Sequence, residues 1–258
     1  CIIRYTGTVH SPNGFLFIGK PSDTTIRTKN VVFDHCIIDA GDRHEYNVRA
    51  YYGQFEIRYS QVRGGSHNID SGGDMDPGTT TQIVRNYIYD YNNNPFAPGY
   101  KPGDKLTWGH AASIYFTGNN GTVNIEDNTI IGNRWQQCNA GWSSGPGAGC
   151  FEFDGTGAVV VYAQEDPNPD KTYIVKHNQI SAGSYAPLRF YGENNTIQSI
   201  QIIDNVFTAQ AGWPTFSIEG DIYAFDAAAS NRTISGNRWG SDTTCFTTPS
   251  ACKGSPNT

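Results

Sequence analysis

Charge is scarce in this chain. Asp, Glu, Lys and Arg together make up 16% of it, against about 25% in ordinary globular proteins. The 18 Lys and Arg are outnumbered by 24 Asp and Glu, for a net charge of −6. A protein that binds nucleic acid needs clustered Lys and Arg to displace counterions, so nucleic acid is not expected as a partner. A polyanionic glycan is disfavoured less, because a local basic patch overcomes a small net charge. No apolar run approaches the roughly 18 residues of a membrane helix, and no signal-peptide pattern is present. No membrane contact is therefore expected, and a mature or trimmed chain is implied. Methionine occurs once. No Pro/Ser-rich run, charge block or low-complexity tract divides the sequence, so one continuous fold is expected.

Gly, Tyr, Asn and Thr take the place of charge, with 29 Gly and 15 Tyr. That balance suits a β-rich extracellular protein. The six cysteines are residues 1, 36, 138, 150, 245 and 252. An even count suggests disulfides and an oxidising compartment. Their spacings match no zinc pattern. Short loops favour Cys138–Cys150 and Cys245–Cys252, and free buried thiols are the alternative.

The most specific signal is an internal repeat. The segments VVFDHCII (31–38), FEIRYSQV (55–62), TQIVRNYI (81–88), VNIEDNTI (123–130), YIVKHNQI (173–180), IQIIDNVF (200–207) and RTISGNRW (232–239) share largely apolar first, third and eighth positions. Their sixth positions are Cys36, Ser60, Asn86, Asn128, Asn178, Asn205 and Asn237. Alternation implies strands with one buried face. The odd step from third to eighth position breaks the alternation, so the chain bends between them. Asn tolerates the left-handed conformation of such a corner, and stacked Asn side chains can hydrogen-bond along a ladder. Successive sixth positions lie 24, 26, 42, 50, 27 and 32 residues apart. A base coil near 24 residues is a solenoid period, and the two long steps mark two insertions.

The expected fold is therefore all-β: a right-handed parallel β-helix of seven to eight coils. It would fill residues 1–242 as one domain, with 243–258 as a C-terminal cap. CIIRYTG (1–7) resembles CIIDAG (36–41), which puts Cys1 in the column of Cys36 and within reach of a disulfide to it. The chain then starts inside a coil, and upstream sequence or a longer protein is expected. Over about residues 30–240 the sequence resembles the β-helix repeat proteins of the pectate-lyase-like superfold. These include secreted bacterial polysaccharide lyases and hydrolases and phage tail spikes. The resemblance implies an extracellular, cell-surface or virion location and a polysaccharide or cell-surface glycan as partner. It also implies a homotrimer if the chain is a tail spike.

A second strand follows in most coils: NVRAY (47–51), NIDSG (68–72), SIYFT (113–117), VVYAQ (160–164), PLRFY (187–191) and SIEGD (217–221). Aligning Val48, Ile69, Ile114, Val161, Leu188 and Ile218 inward turns out a column of Arg49, Asp70, Tyr115, Tyr162, Arg189 and Glu219. Rings that stack on sugars alternate there with groups that bind hydroxyls; a solvated face with an Arg49–Asp70 surface ion pair is the plainer reading. The insertions, roughly 92–110 and 133–158, carry Phe96, Tyr100, Trp108, His110, Trp135, Trp142, Phe151 and Phe153. Substrate-binding candidates are Arg49, Trp108, Tyr162, Trp142 and Tyr191; packing of the loop aromatics onto the coils is the alternative.

The catalytic candidates are Asp70, Tyr115, Arg189 and His110. Glycoside hydrolysis needs two carboxylates, and Asp74, Asp76 or Asp104 would have to partner Asp70. Asn68-Ile69-Asp70 followed by Gly109-His110 is similar to the polygalacturonase pattern Asn-x-Asp and Gly-His-Gly. Arg189 stands where that family has Arg-x-Lys, but its adjacent Asp pair is missing and Tyr191 replaces the Lys. A lyase would need a base, Tyr115, Tyr162 or His110, and a cation, Arg49 or Arg189, to neutralise a uronate. No metal ligand set is fixed; Asp70, Asp74 and Asp76 form an oxygen cluster suited to Ca²⁺, or an Asp/Gly-rich turn. The competing function is a non-catalytic structural or adhesive protein, such as a phage tail fibre segment or surface filament subunit.

Overall fold

The computed structural model describes residues 1–7, 11–20, 25, 27–72, 78–89, 112–117, 121–131, 157–163, 171–181, 187–192, 197–208, 216–220 and 232–239. Within these residues all regular structure is β-strand, and every strand pair is parallel. The cap expected at 243–258 and the pairs Cys138–Cys150 and Cys245–Cys252 lie outside the described residues.

The strands form three stacks. The first is a seven-stranded sheet of β3 (Thr28–Asp34), β5 (Gly53–Arg58), β7 (Thr80–Val84), β10 (Gly121–Glu126), β13 (Lys171–Lys176), β16 (Ile197–Ile203) and β19 (Arg232–Ser235). The second holds β1 (Ile2–Arg4), β8 (Tyr87–Ile88), β11 (Thr129–Ile131), β14 (Gln179–Ser181), β17 (Val206–Thr208) and β20 (Arg238–Trp239). The third holds β2 (Ser11–Ile18), β9 (Ala112–Thr117), β12 (Gly157–Ala163), β15 (Leu188–Gly192) and β18 (Phe216–Gly220). Two long strands, β4 (Ile37–Tyr51) and β6 (Gln61–Gly72), run through the second and third stacks and join them into one thirteen-stranded sheet.

The apolar first, third and eighth positions of the repeat supply much of the core. Phe55, Ile57, Ile83, Val123, Ile125, Tyr173, Val175, Ile200 and Ile202 come from the first stack. Ile38, Val62, Ile88, Ile130, Ile180 and Phe207 come from the second, and Val48, Ile69, Ile114, Phe116, Val159, Val161 and Leu188 from the third. All belong to a single hydrophobic cluster. Burial of each such side chain contributes about 1.5–3 kcal/mol, and alternation along β5 and β10 keeps the intervening residues outside.

The corner between the first and second stacks repeats with little change from rung to rung, and it corrects one expectation. The left-handed residue is the fifth position, not the Asn at the sixth. His35, Tyr59, Arg85, Asp127, His177 and Asp204 have φ between 49° and 57°, and Gly236 has φ 67°. Asp and His enter this region more readily than most residues. A Cβ at Gly236 would meet the carboxylate of the exposed Asp204, which would have to turn aside.

Asn at the sixth position has another task. Along the ladder the fifth N–H donates to the next rung, as Asp127 does to Lys176 O at 3.1 Å, and the seventh donates to the previous one, as Thr129 does to Asn86 O at 2.9 Å. The intervening N–H turns inward and finds no carbonyl. The next rung's side chain accepts it: Ser60 N–H to Asn86 Oδ1, Asn86 to Asn128, Asn128 to Asn178, Asn178 to Asn205 and Asn205 to Asn237, each at 2.9 Å. Each Asn also donates from Nδ2 to the previous rung's third-position carbonyl, from Ile57 O to Ile202 O, at 2.7–2.8 Å. The hydrogen-bonded residues are 26, 42, 50, 27 and 32 positions apart in sequence, so the unequal intervals leave the rungs in register. At the other end of the column, Cys36 N–H donates to Ser60 Oγ at 3.0 Å, and Cys36 is disulfide-bonded to Cys1.

Candidate functional site

The third stack corrects the expected column. Its register runs Leu16, Val48, Ile69, Ile114, Val159, Leu188 and Phe216, and Val48, Ile69, Ile114, Val159 and Leu188 are buried in the core. The neighbouring column runs Phe17, Arg49, Asp70, Tyr115, Val160, Arg189 and Ser217. Arg49, Asp70 and Tyr115 are on adjacent strands, and Arg189 shares their column one strand beyond Val160. Tyr162 and Glu219 are displaced by two residues and pair instead with Tyr191. The cause is visible in the sequence: Val159 and Val161, like Phe216 and Ile218, are both apolar with the same parity, so alternation cannot choose between them. For Arg189, Tyr162 and Tyr191 the structure describes the backbone, in β15, β12 and β15. His110, Trp108, Trp142, Asp74, Asp76 and Asp104 lie outside the described residues.

From Arg49 to Tyr115 the column is not a solvated face. Asp70 is 3% exposed and Tyr115 7%, and the Arg49 side chain is 25% exposed. Arg49 Nε is 3.9 Å from Asp70 Oδ2, too far for a hydrogen bond, and its N–H has no acceptor among the described residues. Two rings hold the guanidinium instead, with its carbon 3.6 Å from the Tyr46 centroid and 4.8 Å from that of Tyr51. Burial disfavours the charged form of Asp70 and outweighs the opposing charge of Arg49, pushing the carboxyl up to about 7. A carboxyl at that value exchanges protons near neutrality, which is what general acid–base chemistry uses.

The aromatic contacts continue in both directions from Arg49. Tyr46 stacks on His67, with centroids 5.0 Å apart and planes at 12°, and His67 meets Tyr115 at 5.0 Å. On the other side Tyr51 lies 6.3 Å from Phe17 with planes at 12°. Phe17, Tyr51, Arg49, Tyr46, His67 and Tyr115 thus form one unbroken series of ring and guanidinium contacts across β2, β4, β6 and β9. Sequence reasoning missed Tyr46, Tyr51, Phe17 and His67. A signal was present for Tyr51, which shares the parity of Arg49 on one strand, but β2 carries no copy of the Asn repeat that would have set the register of Phe17.

Asn68 is removed from the polygalacturonase-like triplet by its surroundings. It is fully buried, accepts the Gly65 N–H at 3.2 Å and donates to Tyr89 O at 3.0 Å. Asn47 in the rung before donates to Ile38 O and Arg63 O, and Ser113 in the rung after donates to Ile131 O at 3.5 Å. These three close the bend between the second and third stacks. No carboxylate other than Asp70 stands in the column among the described residues, so a hydrolase pair is not assembled from them. A separate charged column, Arg4–Asp39–Arg63–Tyr89, lies on the second stack. Asp39 accepts from Arg4 at 3.1 Å and from Arg63 at 2.8 Å, and Arg63 donates to Tyr89 Oη at 3.2 Å. Among the described residues no group of three or more His, Cys, Asp or Glu is arranged to hold a metal ion.

The chain matches no protein-family model, no curated protein sequence and no solved structure.

Proposed function

We propose that the three stacks wind as a right-handed parallel β-helix of the pectate-lyase-like kind, and that the chain binds or cleaves a polysaccharide outside the cell. The observation that supports this is the contact series from Phe17 to Tyr115 with Arg49 at its centre. Apolar sugar faces stack on such rings, and hydroxyl or carboxylate groups take donors from a guanidinium. In the catalytic form of the reading, Arg49 binds the sugar and Asp70 exchanges the proton, assisted by Tyr115 and, from the residues named in the sequence, Arg189 and His110. Trp108, Trp142, Tyr162 and Tyr191 extend the binding surface.

The test is incubation of the protein with a panel of plant, algal and bacterial polysaccharides. Products are read as reducing ends and as the ultraviolet absorbance of unsaturated sugars. Release of unsaturated ends identifies a lyase, and reducing ends alone a hydrolase. Retention of a polysaccharide without product identifies an adhesive protein, as in a tail fibre. Absence of both binding and product across the panel sinks the reading.

A further inference from the structure

We infer that Arg49 takes an acidic group of the sugar ligand, carboxylate or sulfate, and that Asp70 competes with that group for the guanidinium, an inference that rests on the glycan reading above. The geometry of the pair carries it. Arg49 lies on β4, which is paired by β2 on one side and β6 on the other, so the partial exposure of its side chain is not that of a sheet edge. Tyr46 and Tyr51 lie against the guanidinium. Ring faces steady a cation but leave its N–H donors to other partners. The nearest carboxyl, Asp70, stands at 3.9 Å, close enough to feel the charge and too far to accept a hydrogen bond. The Nε N–H has no acceptor among the described residues. A held guanidinium without a bonded carboxylate is a fork ready for an anion, and little side-chain freedom is lost when it engages one.

Asp70 sets how much of that charge the ligand receives. The titratable groups around it among the described residues are Arg49 and Tyr46 on β4, Tyr115 on β9 and His67 on its own strand. Of these, Arg49 alone is charged at every working pH. Burial keeps the Asp70 carboxyl neutral up to about pH 7, and while it is neutral the guanidinium is left to the ligand. Once Asp70 ionises, a second anion stands 3.9 Å from the same guanidinium and repels the acidic group. The coupling is reciprocal. A bound acidic group makes Asp70 harder to ionise, so binding above pH 7 draws a proton from solvent onto Asp70.

The experiment is calorimetric titration of the whole chain at pH 5 and pH 8, on either side of the Asp70 transition. The acidic probes are hexamers of galacturonate, of mannuronate and of sulfated carrageenan, and the neutral ones are cellohexaose and xylohexaose. The proteins are the wild type, Asp70→Asn and Arg49→Gln. The wild type is expected to bind an acidic probe about threefold to tenfold more weakly at pH 8 than at pH 5. It should also take up a proton on binding at pH 8, read from the dependence of the heat on buffer ionisation. The probe that binds tells carboxylate from sulfate. Asp70→Asn is expected to keep its pH 5 affinity at pH 8 without proton uptake, and Arg49→Gln to lose about tenfold or more for the same probe. A flat wild-type profile overturns the competition, and so does a slope that survives in Asp70→Asn and therefore belongs to His67 or another group. Neutral probes bound as tightly as acidic ones, or wild-type affinity in Arg49→Gln, overturn the acidic subsite and leave the glycan reading standing. Failure of the wild type to bind any probe overturns the glycan reading, and the subsite with it.

Discussion

Two columns of buried polar side chains climb this molecule, and they are finished differently. In the Asn column each inner member from Asn86 to Asn205 both donates and accepts, at 2.7–3.1 Å. In the other, Arg49 and Asp70 face each other at 3.9 Å, and the Arg49 N–H closest to the carboxylate has no acceptor among the described residues. A buried polar network that is complete fixes register and rigidifies. A buried charge pair left incomplete costs stability, and such places are where function is sought. The first column reads as architecture and the second as the proposed site.

The contrast is broken most severely by Asn128→Ala. The substitution strands the Asn86 N–H, an Asn86 Nδ2 proton and the Ile83 carbonyl, all buried. At about 1–3 kcal/mol for each of these unsatisfied groups, a loss of about 3–9 kcal/mol is expected in equilibrium denaturation. A loss under 1 kcal/mol would show that the column is dispensable.

Asp70→Asn sharpens the contrast from the other side. The Asp70 carboxyl is raised from 3.8 to about 7 in the folded protein, so the native state holds this proton more tightly than the unfolded chain does. The stability it contributes is complete below pH 4 and is lost as the pH rises through 7. That loss amounts to at most about 4 kcal/mol at about 1.4 kcal/mol per pH unit. Asp70→Asn lacks the titration, so its stability should fall less than the wild type's between pH 5 and pH 8. Parallel denaturation curves for the two proteins over that range would place the Asp70 proton elsewhere.

The smallest effect is expected on the outside of the Asn corner. Arg85 is exposed and pairs with Asp127 at 3.2 Å and with Tyr59 Oη at 2.8 Å. Solvent screens such contacts, so Arg85→Ala should leave the denaturation midpoint unchanged. A fall comparable to that of Asn128→Ala would mean that the outer surface of the corner, not its inner ladder, holds the rungs.

What the sequence disclosed follows the same division. The Asn column was legible because residue identity and apolar spacing recur together, and each copy corroborates the others. The odd step showed that the chain turns between positions three and eight but not where. Asn has a taste for left-handed backbone, which drew the corner to position six, whereas the ladder reserves Asn for the inward N–H one residue later than the turn. On the third stack, runs such as Val159-Val160-Val161 permit a two-residue slip that preserves facing, and Tyr162 and Glu219 moved with it. The burial of Asp70 was not legible, because alternation distinguishes the two sides of a strand and says nothing of what lies over the outer side. The Tyr46–Arg49–Tyr51 clasp needed side-chain directions around a bend, and no spacing rule supplies those.

The Asn contacts keep one length while the chain between them ranges from 26 to 50 residues. A rung recognises its neighbours by what they present at the corner and is indifferent to the route the polypeptide took to get there. Such a framework can accept new sequence between rungs without renegotiating its own geometry. The length of chain between rungs is then free to vary while the inner ladder stays as it is.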